Sequence, residues 1–299
     1  MTMPRVSALT VLVVVCLSPL AAQQVHYEGG LSMSSGSYIF TERTTSWVLS
    51  NGLAVNAGPF SIRGTVPVFR QNTTLLTSSA TGLLPTGGSS SGVVSDSSAA
   101  RKGGGQGGGN PQLVAALPSF NETAAMAVDP VDVPISSVTG YRVTLGDPMV
   151  NISTILTESG RTSLSASLGA KIPLNDTTSN GTGKWDVGGS LSLSHGVSNN
   201  VLLSTDFSYW RFGDLPELDL RDGLMGSASV AYLGSSGWGG SATVMAARSV
   251  VEGFANSYMV SASLTRLAGF GAISMNLAAG LSEMAPDFTA GVSWRMGIM

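Results

Sequence analysis

Two histidines and one acidic loop are, by residue type, the places where this chain could do chemistry. His26 sits near the start and His195 opens the turn His195-Gly-Val-Ser-Asn-Asn200. A histidine beside a serine and an acid could run acyl transfer, and a histidine among carboxylates could hold a metal. Neither histidine has a neighbouring motif of either kind. Serine is so frequent that no single nucleophile stands out, and His195 reads as a solvated turn residue. Asp214, Glu217, Asp219 and Asp222 lie together in RFGDLPELDLRDG. Their carboxylates suit a hard divalent cation. The spacing is not that of an EF-hand, however, and Arg211 and Arg221 offset the charge, so the stretch reads as a charged external loop. The GGGQGGG run at 103–109 could cradle a phosphate only with a strand before it, a helix after it and a Walker lysine, and it has none of these. No catalytic residue, cofactor or metal is expected, and the chain reads as a non-enzyme.

The remaining charges are placed more informatively. Arg63, Lys171, Asp186, Asp206 and Arg295, with the polar Asn276, each fall on the polar parity of an alternating run. In 162–173, Leu164, Ala166, Leu168, Ala170 and Ile172 alternate with Ser163, Ser165, Ser167, Gly169 and Lys171. Similar runs recur through 184–195, 201–212, 224–232, 238–246, 257–264, 273–279 and 288–296. A period of two means strands with unlike faces. The wet face of a soluble sandwich is usually rich in Lys, Glu and Thr, whereas this polar face is mostly Ser and Gly. Aromatics sit near strand ends: Trp185, Tyr209, Tyr232, Trp238, Tyr258, Phe288 and Trp294. That is the girdle pattern of a transmembrane barrel, with lipid outside and a polar lumen inside. A two-sheet secreted β protein is the competing reading.

Inward placement of the six polar residues follows from cost. An Arg or Lys facing lipid at mid-depth costs about 2–4 kcal/mol, and an Asp less. The six are therefore expected to line the lumen, either as ion pairs bracing the wall or as a polar path for a solute.

Connections support the barrel. Tight turns at 56–59, 158–161, 195–200, 234–237 and 266–269 alternate with longer, more polar links at 174–183, 213–223, 249–256 and 281–287. Outer-membrane barrels alternate short periplasmic turns with long external loops in this way. Strands are expected at 31–40, 47–55 and 60–69, then from 149–156 onward, giving three before a long insertion and nine after it. The fold class is thus all-β, an antiparallel up-and-down transmembrane β-barrel of about 12 strands. Residues 71–139, rich in Ser, Gly, Thr and Pro, cannot bury enough surface to order themselves and read as a disordered external loop.

Composition bounds the setting. Charged residues are 11% of the chain, against roughly 25% in ordinary soluble domains. The N-terminal MTMPRVSALTVLVVVCLSPLAAQQ has a basic n-region, an apolar stretch too short to span and a small-residue cleavage site. It reads as a signal peptide over 1–22, with the barrel over 23–299. Val15, before Cys16, is bulkier than a lipobox requires. Cleavage removes the single cysteine and leaves 14 basic against 18 acidic residues, which is no footprint for nucleic acid. Partners expected on these grounds are outer-membrane lipid and the outer-membrane assembly machinery, with the bacterial outer membrane as location.

Lys171, Ile172 and Pro173, followed by Gly181, Gly183 and Asp186, form a recognisable run. With GDP at 146–148, the stretch 140–299 resembles the bacterial outer-membrane proteins of the phenol-degradation meta-pathway family, which are similar to fatty-acid-transporter-like barrels. The family's run is Lys, an apolar residue, Pro, Thr, Gly, Asp, then Gly-Thr-Gly and an Asp opening the next strand. Leu174 and Asn175 stand where the family has Thr-Gly, and the chain ends WRMGIM without a terminal aromatic. The resemblance implies a channel or transporter for passive uptake of small hydrophobic or aromatic molecules, which would be the solute partner. The alternative is a non-transporting surface barrel, a scaffold or adhesin presenting 71–139.

Overall fold

The computed structural model describes residues 24–38, 40, 43–73, 75–86, 142–175, 181–214 and 220–298. The expected signal peptide lies outside the described residues, as do 87–141. The described chain forms β1 (Gln24–Gly36), β2 (Thr44–Ala57), β3 (Phe60–Gln71), β4 (Leu76–Ser79), β5 (Gly82–Pro85), β6 (Arg142–Leu145), β7 (Met149–Ser159), β8 (Thr162–Lys171) and β9 (Asp186–Gly196). It continues with β10 (Val201–Arg211), β11 (Gly223–Leu233), β12 (Trp238–Ala247), β13 (Ser257–Ala268), β14 (Gly271–Gly280) and β15 (Phe288–Gly297).

Every wall pairing is antiparallel and joins chain neighbours, except where β15 returns to β1. That seam closes the sheet on itself. β6 and β7 are one wall strand broken at Gly146-Asp147-Pro148, both pairing with β3. Twelve strand paths thus make a closed cylinder, unpaired only along the outer side of the short β6, the arrangement that lets strands cross a membrane.

Short turns gather at one end. Gly58 and Gly160 hold φ of 59° in two-residue turns, a left-handed conformation that glycine adopts without steric cost. The strand ends joined by the longer connections, after β1, β3, β8, β10, β12 and β14, gather at the other end.

The faces divide as the alternation requires. Leu191, Val230 and Leu277 are 50%, 44% and 57% exposed and point outward around the ring. Among the described residues no second sheet covers them, and the ring closes on itself, which excludes the sandwich. Arginine placed at Leu191, mid-strand on this outer face, costs about 2–4 kcal/mol of folding into a bilayer. At the neighbouring Ser192, which faces inward beside Asp206, the same residue costs little. Urea titrations of the two variants in liposomes should separate them.

Three expectations need correction. β1 begins at Gln24 and ends at Gly36, instead of running over 31–40. QVHYEGG alternates too weakly to be read as a strand, yet its backbone pairs fully with β2 and β15. Second, the 71–139 segment is not wholly an external disordered loop. β3 runs on to Gln71, and β4–β5 is an ordered hairpin that pairs only with itself. Leu76, Thr77 and Ser78 are buried, so tertiary packing supplies the surface burial that composition alone did not promise. Third, the links at the long-loop end are not simply polar. Phe40, Phe212, Leu220, Val250, Val251, Phe254 and Met284 are all buried.

Candidate functional site

The lumen holds three layers. At the long-loop end, Phe40, Leu75, Ala80, Trp210, Phe212, Leu220, Val250, Val251, Phe254 and Met284 form one apolar cluster. It draws on the links after β1, β3, β10, β12 and β14, so it spans the ring from within and caps the mouth. Trp210 lies flat on the inner wall because its cross-strand neighbours are glycines. A Cβ on Gly188 would overlap both the indole and the Tyr209 carbonyl. Gly188→Ala therefore forces a backbone shift costing about 1–3 kcal/mol, seen as a lower midpoint for heat-modifiable migration. Tyr38 packs against the same cluster. Burial pushes its hydroxyl up to about 12, with the Ser34 hydrogen bond opposing and the charge of Asp287 adding to the rise.

Beneath the cap lies a buried ion triad. Lys171 ends β8 and stands in register opposite Asp186, the first residue of β9. Lys171 Nζ lies 3.3 Å from Asp147 Oδ2 and 3.4 Å from Asp186 Oδ2, with side-chain exposures of 1%, 0% and 0%. The Nζ also donates to Thr182 Oγ1 at 2.8 Å. Two carboxylates face one ammonium, so burial requires further donors. Asp147 Oδ1 accepts from the backbone N–H groups of Leu174 (2.9 Å) and Asn175 (2.8 Å) and from the Asn175 amide (3.1 Å). Asp147 Oδ2 has no hydrogen bond among the described residues and lies at ion-pair distance from Nζ. Asp186 Oδ1 accepts from Gly213 N at 3.0 Å, and its Oδ2 accepts from Ala80 N at 2.8 Å. Ala80 follows β4 in the hairpin turn. The hairpin also meets β2 at its base, through a 2.7 Å bond between Thr44 and Thr73 hydroxyls. A segment touching β2, β9 and the cap lies inside the cylinder.

Toward the short-turn end the lumen is open and polar. Glu28 accepts from Arg295 Nε at 2.6 Å on Oε1, and its Oε2 lies 2.8 Å from Arg63 Nε. Both guanidinium groups are about half exposed, whereas Glu28 is largely covered. They border a cavity of about 420 Å³ with Ser50, Thr65, Ser274 and Ser293. Elsewhere the wall's hydroxyls satisfy one another across register pairs: Ser34–Ser46, Ser167–Ser190, Ser204–Ser229, Ser241–Ser263 and Thr265–Ser274, at 2.6–2.8 Å. Such cross-strand pairs let a polar inner face line the barrel with few charges.

The six sequence-derived positions therefore separate. Lys171 and Asp186 meet in the buried triad. Arg63 and Arg295 meet at Glu28. Asp206 accepts from Ser227 at 3.2 Å, apart from both groups. Asn276 covers Gly291, opposite Ser263. Sequence reasoning missed Asp147 and Glu28. Asp147 sits in the GDP interruption of the β6–β7 path, and a Pro that breaks a ladder was the available signal. His195 shares a 2.9 Å bond with Thr162 at the short-turn rim. Asp214 caps Leu220 N, and Asp222 accepts from the Tyr209 hydroxyl; each is engaged separately. Glu217 and Asp219 lie outside the described residues.

No family model matches this sequence, and no curated protein is significantly similar to it. Solved structures do resemble it. The COG4313 outer membrane channel from Pseudomonas putida F1 superposes with a TM-score of 0.59 at 11% identity, over 93% of this chain and 97% of that one. The chain has an outer-membrane barrel fold. A KdgM porin (TM-score 0.46, 6% identity) and a NanC porin (0.44, 8%) are more distant, each covering 92% of this chain and 99% of its own.

Proposed function

We propose that the chain is a channel of the bacterial outer membrane, passing small solutes through its lumen, with the β4–β5 hairpin as its plug. The observation that carries this reading is the hairpin's attachment. It belongs to no wall ladder; among the described residues the one hydrogen bond from its tip to the wall is Ala80 N–H to Asp186, and the rest of its hold is the packing of Leu75 and Ala80 in the apolar cluster. It can leave the lumen without opening the cylinder. Below it lie hydroxyls, two arginines and a cavity, as a water-filled path requires.

The apolar cap supports solutes with a hydrophobic or aromatic body, because a molecule entering from the long-loop end must cross Phe40, Trp210, Phe212 and Phe254. The P. putida neighbour, described as an outer membrane channel, favours the same role. Lys171 and Asp186 are two of the matched residues in the phenol-degradation run, and their meeting in one buried contact favours membership of that family. In this reading the 1–22 segment is a cleaved export signal, membrane lipid wraps the outer face, and the outer-membrane assembly machinery inserts the barrel.

Planar-bilayer recording of the purified, folded protein tests the proposal. Discrete conductance steps are expected. Bilayers that stay sealed, both with this protein and with a form lacking the hairpin, would overturn it in favour of a surface scaffold.

A further inference from the structure

The Arg63–Glu28–Arg295 group differs in kind from the triad near the mouth. There, every charge is buried and the group braces the wall. Here, two guanidinium groups share one carboxylate, leaving one positive charge in excess, and both remain about half exposed. The Nε atoms of both arginines engage Glu28. Arg63 adds only a long 3.3 Å bond from Nη2, and the terminal nitrogens of Arg295 have no hydrogen bond among the described residues. Those outer edges present planar pairs of N–H donors, a geometry that matches a second carboxylate. The bordering cavity of about 420 Å³ is of ligand size, and Ser50, Thr65, Ser274 and Ser293 supply neutral donors around it. The register puts Glu28 of β1 directly opposite Arg295 of β15, and Arg63 of β3 opposite Ala54 of the intervening β2, so four consecutive strands of the ring hold the site.

We propose that this group is a binding site for the carboxylate of a small organic acid, at the short-turn exit of the lumen. The net charge of one favours a monoanion over a dianion. The apolar cap at the other end suits the body of such a molecule, so an aromatic monocarboxylate satisfies both ends of the path. This rests on the channel reading for its physiological meaning, though not for the binding itself.

Benzoate is the probe, and benzyl alcohol is its neutral control. Titration calorimetry on the full-length protein in detergent reads binding whether or not the pore conducts. Bilayer recording reads block of the ionic current. Benzoate should bind while benzyl alcohol binds at least roughly tenfold more weakly, the scale of one charge-assisted bidentate contact. Arg63→Gln and Arg295→Gln should each weaken benzoate by roughly tenfold or more. Glu28→Gln should tighten it, because the internal carboxylate no longer competes for the same donors. A folding defect cannot produce that opposite sign. Equal binding of benzoate and benzyl alcohol, indifference to all three substitutions, or equal affinity for chloride would overturn the site. A protein that binds benzoate yet leaves bilayers sealed with the hairpin removed would sink the channel reading and leave the site standing.

Discussion

Replacing Lys171 by methionine should lower stability by about 3–5 kcal/mol, the usual cost of removing one partner from a buried ion group. Methionine fills nearly the same volume, so packing contributes little to the loss. The penalty comes from Asp147 and Asp186, left charged inside the barrel without a cation. Their backbone N–H donors remain, but Asp147 Oδ2 loses its ion-pair partner and has no hydrogen bond among the described residues. Neutralising all three positions, with Lys171→Met, Asp147→Asn and Asp186→Asn together, should cost less than the single change. Denaturant unfolding from liposomes, followed by heat-modifiable migration, measures both. A single variant as stable as the unaltered protein would mean that water reaches the triad and that it is not the brace described above.

The second large effect concerns conduction. Deleting 75–86 should raise single-channel conductance several-fold while leaving the wall intact, since the hairpin contributes no wall ladder. A finer test is Ala80→Pro. Proline suits the position after the first residue of a tight turn, and it removes the single N–H that Asp186 Oδ2 accepts from the hairpin. A hydrogen bond to a charged group contributes about 1.5–3 kcal/mol. Losing it should shift the balance of open and plugged states by roughly 10- to 100-fold. Recordings should show long openings where the unaltered protein gives brief ones. If both proteins gate alike, the tip bond does not hold the plug.

The wall was open to reading because its physics is periodic. Serine alternating with leucine, valine and aromatics forces a two-faced strand, and glycine-bearing turns mark where each strand reverses. Lys171 and Asp186 could be aimed inward from parity alone. Their third partner could not be found that way, because Asp147 belongs to a break in a strand and parity has no meaning there. Glu28 escaped for a related reason: Gly29 and Gly30 thin the alternation before Leu31, so periodicity alone places the strand's start too late. The β4–β5 hairpin was hidden by composition. Leu76-Thr-Ser-Ser and Gly82-Leu-Leu-Pro resemble the tract that follows them, and only enclosure by the barrel makes them orderly. The cap was hidden by aperiodicity, since Phe212, Val250, Phe254 and Met284 are scattered through separate links and converge only once the ring has closed.

Asp186 offers one oxygen to the hairpin tip and the other to Gly213, in the link between β10 and β11. One carboxylate thereby joins the β10–β11 link to the β4–β5 hairpin. The positions of the two are energetically linked, and linkage runs both ways. Whatever draws Gly213 away from Asp186 also slackens the hold on the hairpin, and a solute that displaces the hairpin makes Gly213 easier to move.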